Sequence, residues 1–247
     1  IRTSVRDSSA GIVLNLSPAR PHSDTEEDRE AARRFDGLFN RWYLDPIFRG
    51  EYPEDAIEDR TRRGHLRGDR MPFVKQGDME AISVPIDYLG VNYYSRTAVA
   101  AGEKGDPVGA PLVPKEELTE MGWEVYPEGL TDILVRVAKE YGPPEMYITE
   151  NGIALPDRAD DEDRVDDLER VSFLRQHLIA AHRALESGVP LRGYFHWSLM
   201  DNFEWGHGYT KRFGLFHVDF ETCERTPKES ARWYRDTIAA NAVPDDE

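Results

Sequence analysis

The segment Met146-Tyr147-Ile148-Thr149-Glu150-Asn151-Gly152 decides how this chain is interpreted, because it joins a short apolar strand to a carboxylate. Its β-branched and aromatic residues favour a strand, and the Asn-Gly pair that follows favours a turn. A carboxylate at the end of a buried strand is well placed for chemistry. An acidic residue there can also simply cap the next turn, and the pattern alone favours that simpler role.

The same arrangement, a short apolar run followed by a longer segment of helical period, occurs four times along the chain. The runs span residues 11–16, 86–94, 146–150 and 193–199. The helical segments that follow them span residues 24–43, 130–141, 168–186 and 227–241. Strands that alternate with helices predict βα units and a parallel sheet. Since the runs are nearly all apolar, we expect strands covered on both faces.

Three of the four runs end in polar and aromatic residues, namely Asn92-Tyr93-Tyr94, Glu150-Asn151 and His196-Trp197. Ligands bind at the C-terminal ends of parallel strands in barrels and in open α/β sheets. The long loops after the second, third and fourth strands are therefore where we expect a substrate pocket.

Length and unit count lead to different expectations for the architecture. A complete (β/α)8 barrel takes about 250 residues, close to the 247 residues here, yet it needs eight βα units. Four strands cannot close a barrel, and they leave two unpaired edges. No internal repeat or linker composition suggests a second domain. We therefore expect residues 1–247 to form a single domain with four βα units.

The composition narrows the class of ligand. The chain has 31 basic and 47 acidic residues, which gives a formal charge of −16. Such a surface repels nucleic acid and anionic membranes, so a neutral small molecule is the expected ligand. The single cysteine, Cys223, cannot form an internal disulfide, and no apolar run is long enough to span a bilayer. A cytoplasmic enzyme is the resulting expectation.

Several further segments occur with Thr149-Glu150-Asn151-Gly152 in a fixed order along the chain. They are NYYS (92–95), GWEVYPEGL (122–130), HWSLMDNFEW (196–205), KRFGL (211–215), VDFET (218–222) and RTPKESARWY (225–234). In these strings the sequence resembles glycoside hydrolase family 1, the retaining β-glucosidases, from Gly11 to about Asn241. The resemblance implies an α/β fold of the (β/α)8 TIM barrel family. This chain would supply the C-terminal half, which is strands five to eight with their helices.

The resemblance also implies a catalytic role for residues at the strand ends. Glu150 corresponds to the nucleophile that attacks the anomeric carbon and forms a covalent glycosyl-enzyme. Tyr94 corresponds to the tyrosine that orients this carboxylate, and Asn92 lies beside it in the sugar site. From the residues alone, Asn92 can also be read as a turn former.

A second set of residues is implied to bind the sugar. Glu204 corresponds to the carboxylate that binds two sugar hydroxyls, with Trp205 beside it. Trp197 resembles the floor under the sugar ring, Trp123 the platform for the leaving group, and Phe213 the rim of the pocket. Without the resemblance, the three tryptophans are better read as core aromatics, and Glu204 is equally well read as a surface partner of an arginine.

One essential group is absent from the sequence. Retaining hydrolysis needs a second carboxyl group, the general acid/base, about 5–5.5 Å from the nucleophile. In the family this is the glutamate of an Asn-Glu-Pro motif, which does not occur here, and Glu124 and Glu128 have no matching role. The family's other sugar ligands from the first half of the barrel are absent too.

Three readings of this absence stay open. The chain, which starts at Ile1, can be a piece of a full β-glucosidase whose N-terminal half is elsewhere. It can be a half-barrel that pairs with a second copy of itself, or a carbohydrate-binding module without catalysis. In each reading the ligand is a β-glucoside or a short β-linked oligosaccharide, and no cofactor is implied.

The remaining polar residues give weaker signals. His196 is read as a packed strand residue, and His207 and His217 are too far apart to suggest a metal site. The acidic run from Asp157 to Glu169 lacks the glycine and the oxygen spacing of a calcium loop. We expect it to be a solvated loop whose last acids favour the start of the next helix.

Overall fold

The computed structural model describes residues 5, 7–67, 71–160, 162 and 164–244 of the chain. Its strands are, in chain order, β1 (Gly11–Asn15), β2 (Ala19–Pro21), β3 (Tyr88–Asn92), β4 (Thr97–Ala101), β5 (Pro107–Gly109), β6 (Met146–Asn151), β7 (Leu191–His196), β8 (Phe216–Val218) and β9 (Arg225–Pro227). Its α-helices are α1 (Glu26–Asp36), α2 (Trp42–Arg49), α3 (Glu54–Arg62), α4 (Asp78–Ile82), α5 (Glu128–Tyr141), α6 (Leu168–Glu186) and α7 (Glu229–Ala240). A π-helical turn, Gly37–Arg41, joins α1 to α2, and 3-10 turns span Glu103–Gly105, Lys115–Glu117 and Trp205–His207.

Four strands form the main sheet, in the order β1-β3-β6-β7, and every neighbouring pair is parallel. After each strand the chain runs into helix, which is α1 with α2 after β1, α5 after β3, α6 after β6 and α7 after β7. The prediction of four βα units and a parallel sheet is therefore confirmed. Strand-to-strand order follows chain order, as expected when each crossover returns the chain to the adjacent position.

The first helical segment begins later and extends further than predicted. The Thr25 side chain accepts a hydrogen bond from the Asp28 backbone N–H (3.3 Å), so Thr25 is the N-cap and the helix starts at Glu26 rather than at residue 24. The helix continues through the π-helical turn and ends at Gly50, whose φ of 71° lies in the left-handed region that favours glycine.

The core lies between the two central strands and the helices behind them. Leu89 and Val91 of β3, and Met146 and Ile148 of β6, are fully buried. They pack with residues of α5 and α6, including Leu130, Leu134, Ala180 and Ala184. These alternate strand positions bury their side chains on one face, which is the pattern that fixes the register of a strand.

The two edge strands differ from the prediction of strands covered on both faces. Ile12 and Val13 of β1 are 39% and 45% exposed, and Phe195 of β7 is 57% exposed. The prediction is wrong for these strands because, among the described residues, β1 and β7 each pair with a strand on one side only. Their apolar side chains therefore contact solvent where a barrel would continue.

Several elements were not predicted at all. A small sheet, β2-β4-β5, packs against α1 through Ala31, Ala32 and Val99. The antiparallel pair β8–β9 and the polar helix α3 are also additions to the four predicted units. The small sheet matters for the site because β4 begins five residues after β3 ends and so fixes the connection between them. None of the helices in the described ranges is long and apolar enough to cross a membrane.

Candidate active site

A cavity of about 490 Å³ opens at the C-terminal ends of the main sheet. All eight residues predicted for the site line it: Asn92, Tyr94, Trp123, Glu150, Trp197, Glu204, Trp205 and Phe213. They come from the ends of three strands and from two loops, whose residues Trp123 and Glu204 are 81 positions apart in the chain. The structure therefore brings the whole predicted set to one place.

Glu150 is the next-to-last residue of β6 and is partly buried in the cavity wall. The Tyr94 hydroxyl donates a hydrogen bond of 2.6 Å to Glu150 Oε2. Burial, followed by this bond and the negative charge of Glu150, raises the pKa of Tyr94 well above its ordinary value. The hydroxyl therefore stays protonated, and it remains a donor that fixes one oxygen of the Glu150 carboxylate.

Two asparagines lie near Tyr94 and Glu150: Asn92 lines the cavity, and Asn151 links neighbouring strands. Asn92 Oδ1 accepts a hydrogen bond of 2.7 Å from the Thr149 hydroxyl, and Asn92 lines the cavity. Asn151 is fully buried; its Nδ2 donates to the Tyr93 carbonyl oxygen (2.7 Å) and its Oδ1 accepts from the Tyr194 hydroxyl (2.6 Å). Asn151 thus ties β6 to both neighbouring strands.

An aromatic wall faces the carboxylate. The Tyr94 ring lies 5.1 Å from the Trp123 ring and 6.2 Å from the Phe213 ring, and Trp123 and Phe213 are 6.3 Å apart, all between centroids. These separations are typical of tilted and edge-to-face aromatic contacts. The three rings therefore form one apolar surface beside Glu150.

One loop carries the rest of the predicted sugar-binding residues. It runs from Trp197 to Phe213 and is closed at its base, where the Ser198 N–H donates to the Phe213 carbonyl (3.2 Å) and the Leu215 N–H to the Ser198 carbonyl (2.9 Å). At its tip, Glu204 is partly buried, whereas Trp205 is 82% exposed. We call residues 197–213 the recognition loop.

The recognition loop touches the end of β6 directly. The Trp197 N–H donates to the Asn151 carbonyl (2.9 Å), and a Cβ at Gly152 would lie only 1.9 Å from the Trp197 carbonyl oxygen. Any side chain at Gly152 would push the loop away from the strand that carries Glu150. Glycine is therefore required here for close approach of two backbones.

A buried ionic network connects the recognition loop to the segment that follows β6. Lys228 Nζ donates to Asp157 (2.5 Å) and to Asp201 (2.9 Å), and Arg170 donates to Asp157 (2.7 Å) and pairs with Asp167. The side chains of the three acids are at most 4% exposed, and those of the two bases are fully buried. The prediction of a solvated acidic loop is therefore wrong for Asp157 and Asp167, because Lys228 and Ser230, which donate hydrogen bonds to them, come from a distant part of the chain. Most of the other described residues of the run, including Glu169 at its end, are exposed.

The other carboxylates and histidines near the site are accounted for by packing. Glu124 forms a two-pronged ion pair with Arg96, and Glu128 is exposed at the start of α5. His196 Nε2 lies 3.2 Å from the Phe213 carbonyl oxygen, and burial, with the nearby positive charge of Arg170, lowers its pKa to about 3. Within the described ranges, no three His, Cys, Asp or Glu side chains are grouped so as to hold a metal ion.

Sequence reasoning missed some residues of the site. Asn15, Ser17, Phe39 and Arg96 also line the cavity. Asn15 ends β1 as Asn92 ends β3, so the same rule about polar residues at strand ends could have found it. Asp201 was missed as well. Its carboxylate accepts hydrogen bonds from the Gly214 N–H (2.9 Å) and from Arg212 (2.6 Å), contacts that no local pattern reveals.

Comparisons with known proteins agree with this geometry. The family model for glycosyl hydrolase family 1 matches residues 1–243. Beta-glucosidase A of Acetivibrio thermocellus is 42% identical over 238 residues, which cover 95% of this chain and 52% of that protein. A solved β-glucosidase of Thermotoga maritima in complex with castanospermine superposes with a TM-score of 0.88 at 41% identity, covering 99% of this chain and 53% of that one. A β-glucosidase of Exiguobacterium marinum gives a TM-score of 0.89 at 41% identity, covering 97% and 54%.

The chain spans about half the length of the curated relatives it matches. Its four βα units correspond to the C-terminal half of the (β/α)8 barrel of those enzymes, which confirms the predicted fold class. With a family model matched over nearly all of its residues, and β-glucosidases as its relatives in both sequence and structure, this chain belongs to glycosyl hydrolase family 1.

Proposed function

We propose that the chain supplies the nucleophile half of a retaining β-glucosidase site, with Glu150 as the nucleophile. The observation that carries this proposal is the 2.6 Å hydrogen bond from the Tyr94 hydroxyl to Glu150 Oε2 in the cavity wall. The bond fixes one oxygen of a carboxylate, which is what a nucleophile needs for an aligned attack.

In the proposed first step, the free oxygen of Glu150 attacks the anomeric carbon and the bond to the leaving group breaks. A covalent glycosyl-enzyme forms, and the leaving-group oxygen takes up a proton. Water then attacks the same carbon, gives up a proton, and releases Glu150. Tyr94 moves no proton in either step, since its raised pKa keeps it a donor throughout.

The proposed sugar contacts follow from the cavity lining. Trp197 and Trp205 offer faces on which the C–H groups of a pyranose can pack. The Glu204 carboxylate can accept hydrogen bonds from two sugar hydroxyl groups. Asn92 places a further amide beside the nucleophile. Trp123 and Phe213 form the apolar side on which an aromatic leaving group or second sugar would lie.

The proton for the leaving group must come from elsewhere. Within the described residues, the carboxylates that line the cavity are Glu150 and Glu204, and Glu204 belongs to the sugar-binding set. Glu124 is held by Arg96. We therefore propose that the acid/base carboxylate is contributed by an N-terminal half that closes the barrel. A second copy of this chain could cover the open strand edges, but it lacks the Asn-Glu-Pro motif as well.

Mechanism-based labelling tests the assignment of Glu150. A 2-deoxy-2-fluoro-β-glucoside with a dinitrophenolate leaving group needs little protonation, so it should label the chain even without the acid/base group. Intact mass should rise by one sugar, and peptide mapping should find it on Glu150. Glu150→Gln should abolish labelling while far-UV circular dichroism stays unchanged. A label on Glu204 or Glu124 would refute the proposal.

A second candidate function is a carbohydrate-binding module without catalysis. The lack of an acid/base carboxylate in the described part of the cavity favours it. The two candidates differ in one measurement. Calorimetric binding of glucose with no labelling of Glu150 favours the binding module, whereas labelling of Glu150 favours the glycosidase half-site.

A further inference from the structure

Two short segments meet beside the nucleophile and are joined residue by residue. We call residues 93–96 the β3 extension and residues 123–126 the platform segment. The Tyr93 hydroxyl donates to the Tyr126 carbonyl (2.5 Å), and the Ser95 hydroxyl donates to the Glu124 carbonyl (2.7 Å). Between them, the Tyr94 and Trp123 rings are in contact at 5.1 Å.

The strongest link between the two segments is an ion pair. Arg96 Nε and Nη2 each donate to one oxygen of Glu124, both at 2.7 Å, and the guanidinium carbon lies 3.9 Å from the centre of the Tyr126 ring. The side chains are 16% and 13% exposed. A two-pronged pair that is largely shielded from water fixes both position and angle, which a lysine cannot do.

The pair acts on Trp123 through the backbone. Trp123 directly precedes Glu124, and its own N–H donates to the Thr119 hydroxyl (3.2 Å). The backbone of Trp123 is therefore fixed by Thr119 on one side and by Glu124 on the other, and this fixes the position from which its ring projects. Since Tyr94 contacts Trp123 with its ring and Glu150 with its hydroxyl, a shift of Trp123 changes the surroundings of the nucleophile.

We propose that Arg96 and Glu124 are positioning residues that hold Trp123 against Tyr94 and so set the reactivity of the site toward aromatic leaving groups. This rests on the proposed function. Neither residue is a proton donor in this assignment. Their effect depends on whether the leaving group has a ring that can lie on Trp123.

Two labelling reagents separate this role from a general structural one. Both carry the 2-deoxy-2-fluoroglucosyl group, but one leaves as dinitrophenolate and the other as fluoride, which has no ring. We expect Arg96→Met to slow labelling by the dinitrophenyl reagent about tenfold, and labelling by the fluoride about twofold or less. Arg96→Lys should fall between Arg96→Met and wild type, because it keeps the charge but loses the second prong.

Rescue and control variants sharpen the test. The reciprocal variant Arg96→Glu with Glu124→Arg should restore much of the rate lost with the dinitrophenyl reagent. Arg192→Met removes an ion pair with Glu145, where β6 and β7 begin, and should leave both rates unchanged. Equal slowing with both reagents, or no slowing with either, would overturn the proposal.

If Glu150 is not labelled in the wild-type chain, the result counts against its assignment as the nucleophile and does not test the positioning role. A binding measurement then tests the positioning role. The quantity is the ratio of the dissociation constants for methyl and nitrophenyl β-glucosides, measured by calorimetry on the 247-residue chain. We expect Arg96→Met to lower the preference for the nitrophenyl compound several-fold. An unchanged ratio would refute the positioning role.

Discussion

The two central strands of the sheet and its two edge strands carry the same kind of sequence but lie in different surroundings. On β3 and β6, the residues Val91 and Ile148 are fully buried, and each strand has a partner on both sides. On β1 and β7, Val13 and Phe195 are 45% and 57% exposed. The nucleophile candidate lies near the end of central strand β6 and its tyrosine follows central strand β3, whereas Trp197 and the recognition loop follow edge strand β7.

The two parts of the candidate site are therefore supported in different ways. A carboxylate that must be aligned to within a fraction of an ångström benefits from a fully packed strand beneath it. The recognition loop rests on the buried ionic network instead of on a second neighbouring strand. The site therefore has one half built on apolar packing and one half built on charge pairs.

The largest expected effect concerns packing of the central strands. Ile148→Ala should lower the free energy of unfolding by about 2–5 kcal/mol, because it leaves a cavity among fully buried side chains. The matched edge change, Phe195→Ala, should cost less than about 1 kcal/mol, because its ring is already half exposed. Urea denaturation of both variants measures the difference, and equal losses would contradict it.

The next effect concerns the hydrogen bond that ties the two central strands at the site. Tyr94→Phe removes a donor to a carboxylate, and it should raise the barrier to glycosylation of Glu150 by about 1.5–3 kcal/mol. Because the pKa of Tyr94 lies well above its usual value, the loss should be the same at every pH from 5 to 9. A loss that varies with pH across this range would show that the hydroxyl itself titrates.

The smallest effect is a pH dependence that originates behind the central strands. His177 of α6 is fully buried and stacked on Phe173, and burial lowers its pKa to about 4. As pH falls below about 6.5, the unfolded chain binds this proton first, so stability is lost between pH 6.5 and pH 4. Between pH 6.5 and pH 5, the free energy of unfolding should therefore fall by about 1–2 kcal/mol less in His177→Gln than in wild type.

The control for this experiment lies five residues further along the same helix. The His182 side chain is 68% exposed, so His182→Gln should leave the dependence of stability on pH as it is in wild type. Thermal melts at half-unit intervals of pH would compare the three proteins. If both variants behave like wild type, burial of His177 does not govern the acid sensitivity of the chain.

Local patterns predicted the main sheet well, because each of its strands is an apolar run next to a helix of regular period. Helix α6 was predicted with its observed bounds. The small sheet was missed because β2 has three residues and pairs with β4, which lies more than 70 residues further on. Neither a period nor a turn motif marks such a strand.

The predicted site shows the same division. Long matching strings located eight of the residues that line the cavity, whereas the environment of the acidic run was predicted wrongly because burial depends on distant partners. Asp157 is buried by Lys228 and Arg170, and nothing within ten residues of it indicates this. The roles of the cavity residues stay predictions until the labelling and variant experiments are done.

The Asn151-Gly152 pair has a consequence for chemical ageing. An asparagine followed by glycine is the peptide pair most prone to deamidation, since the bare glycine N–H can reach and attack the side-chain amide. In the folded chain both ends of the Asn151 amide are hydrogen-bonded and the residue is fully buried, so that attack is obstructed. Each excursion to the unfolded state removes this protection. Conversion of Asn151 to a carboxylate would replace the Nδ2 donor to the Tyr93 carbonyl oxygen with a negatively charged oxygen, one residue from Glu150. A sample that has unfolded repeatedly would therefore accumulate negative charge beside the candidate nucleophile.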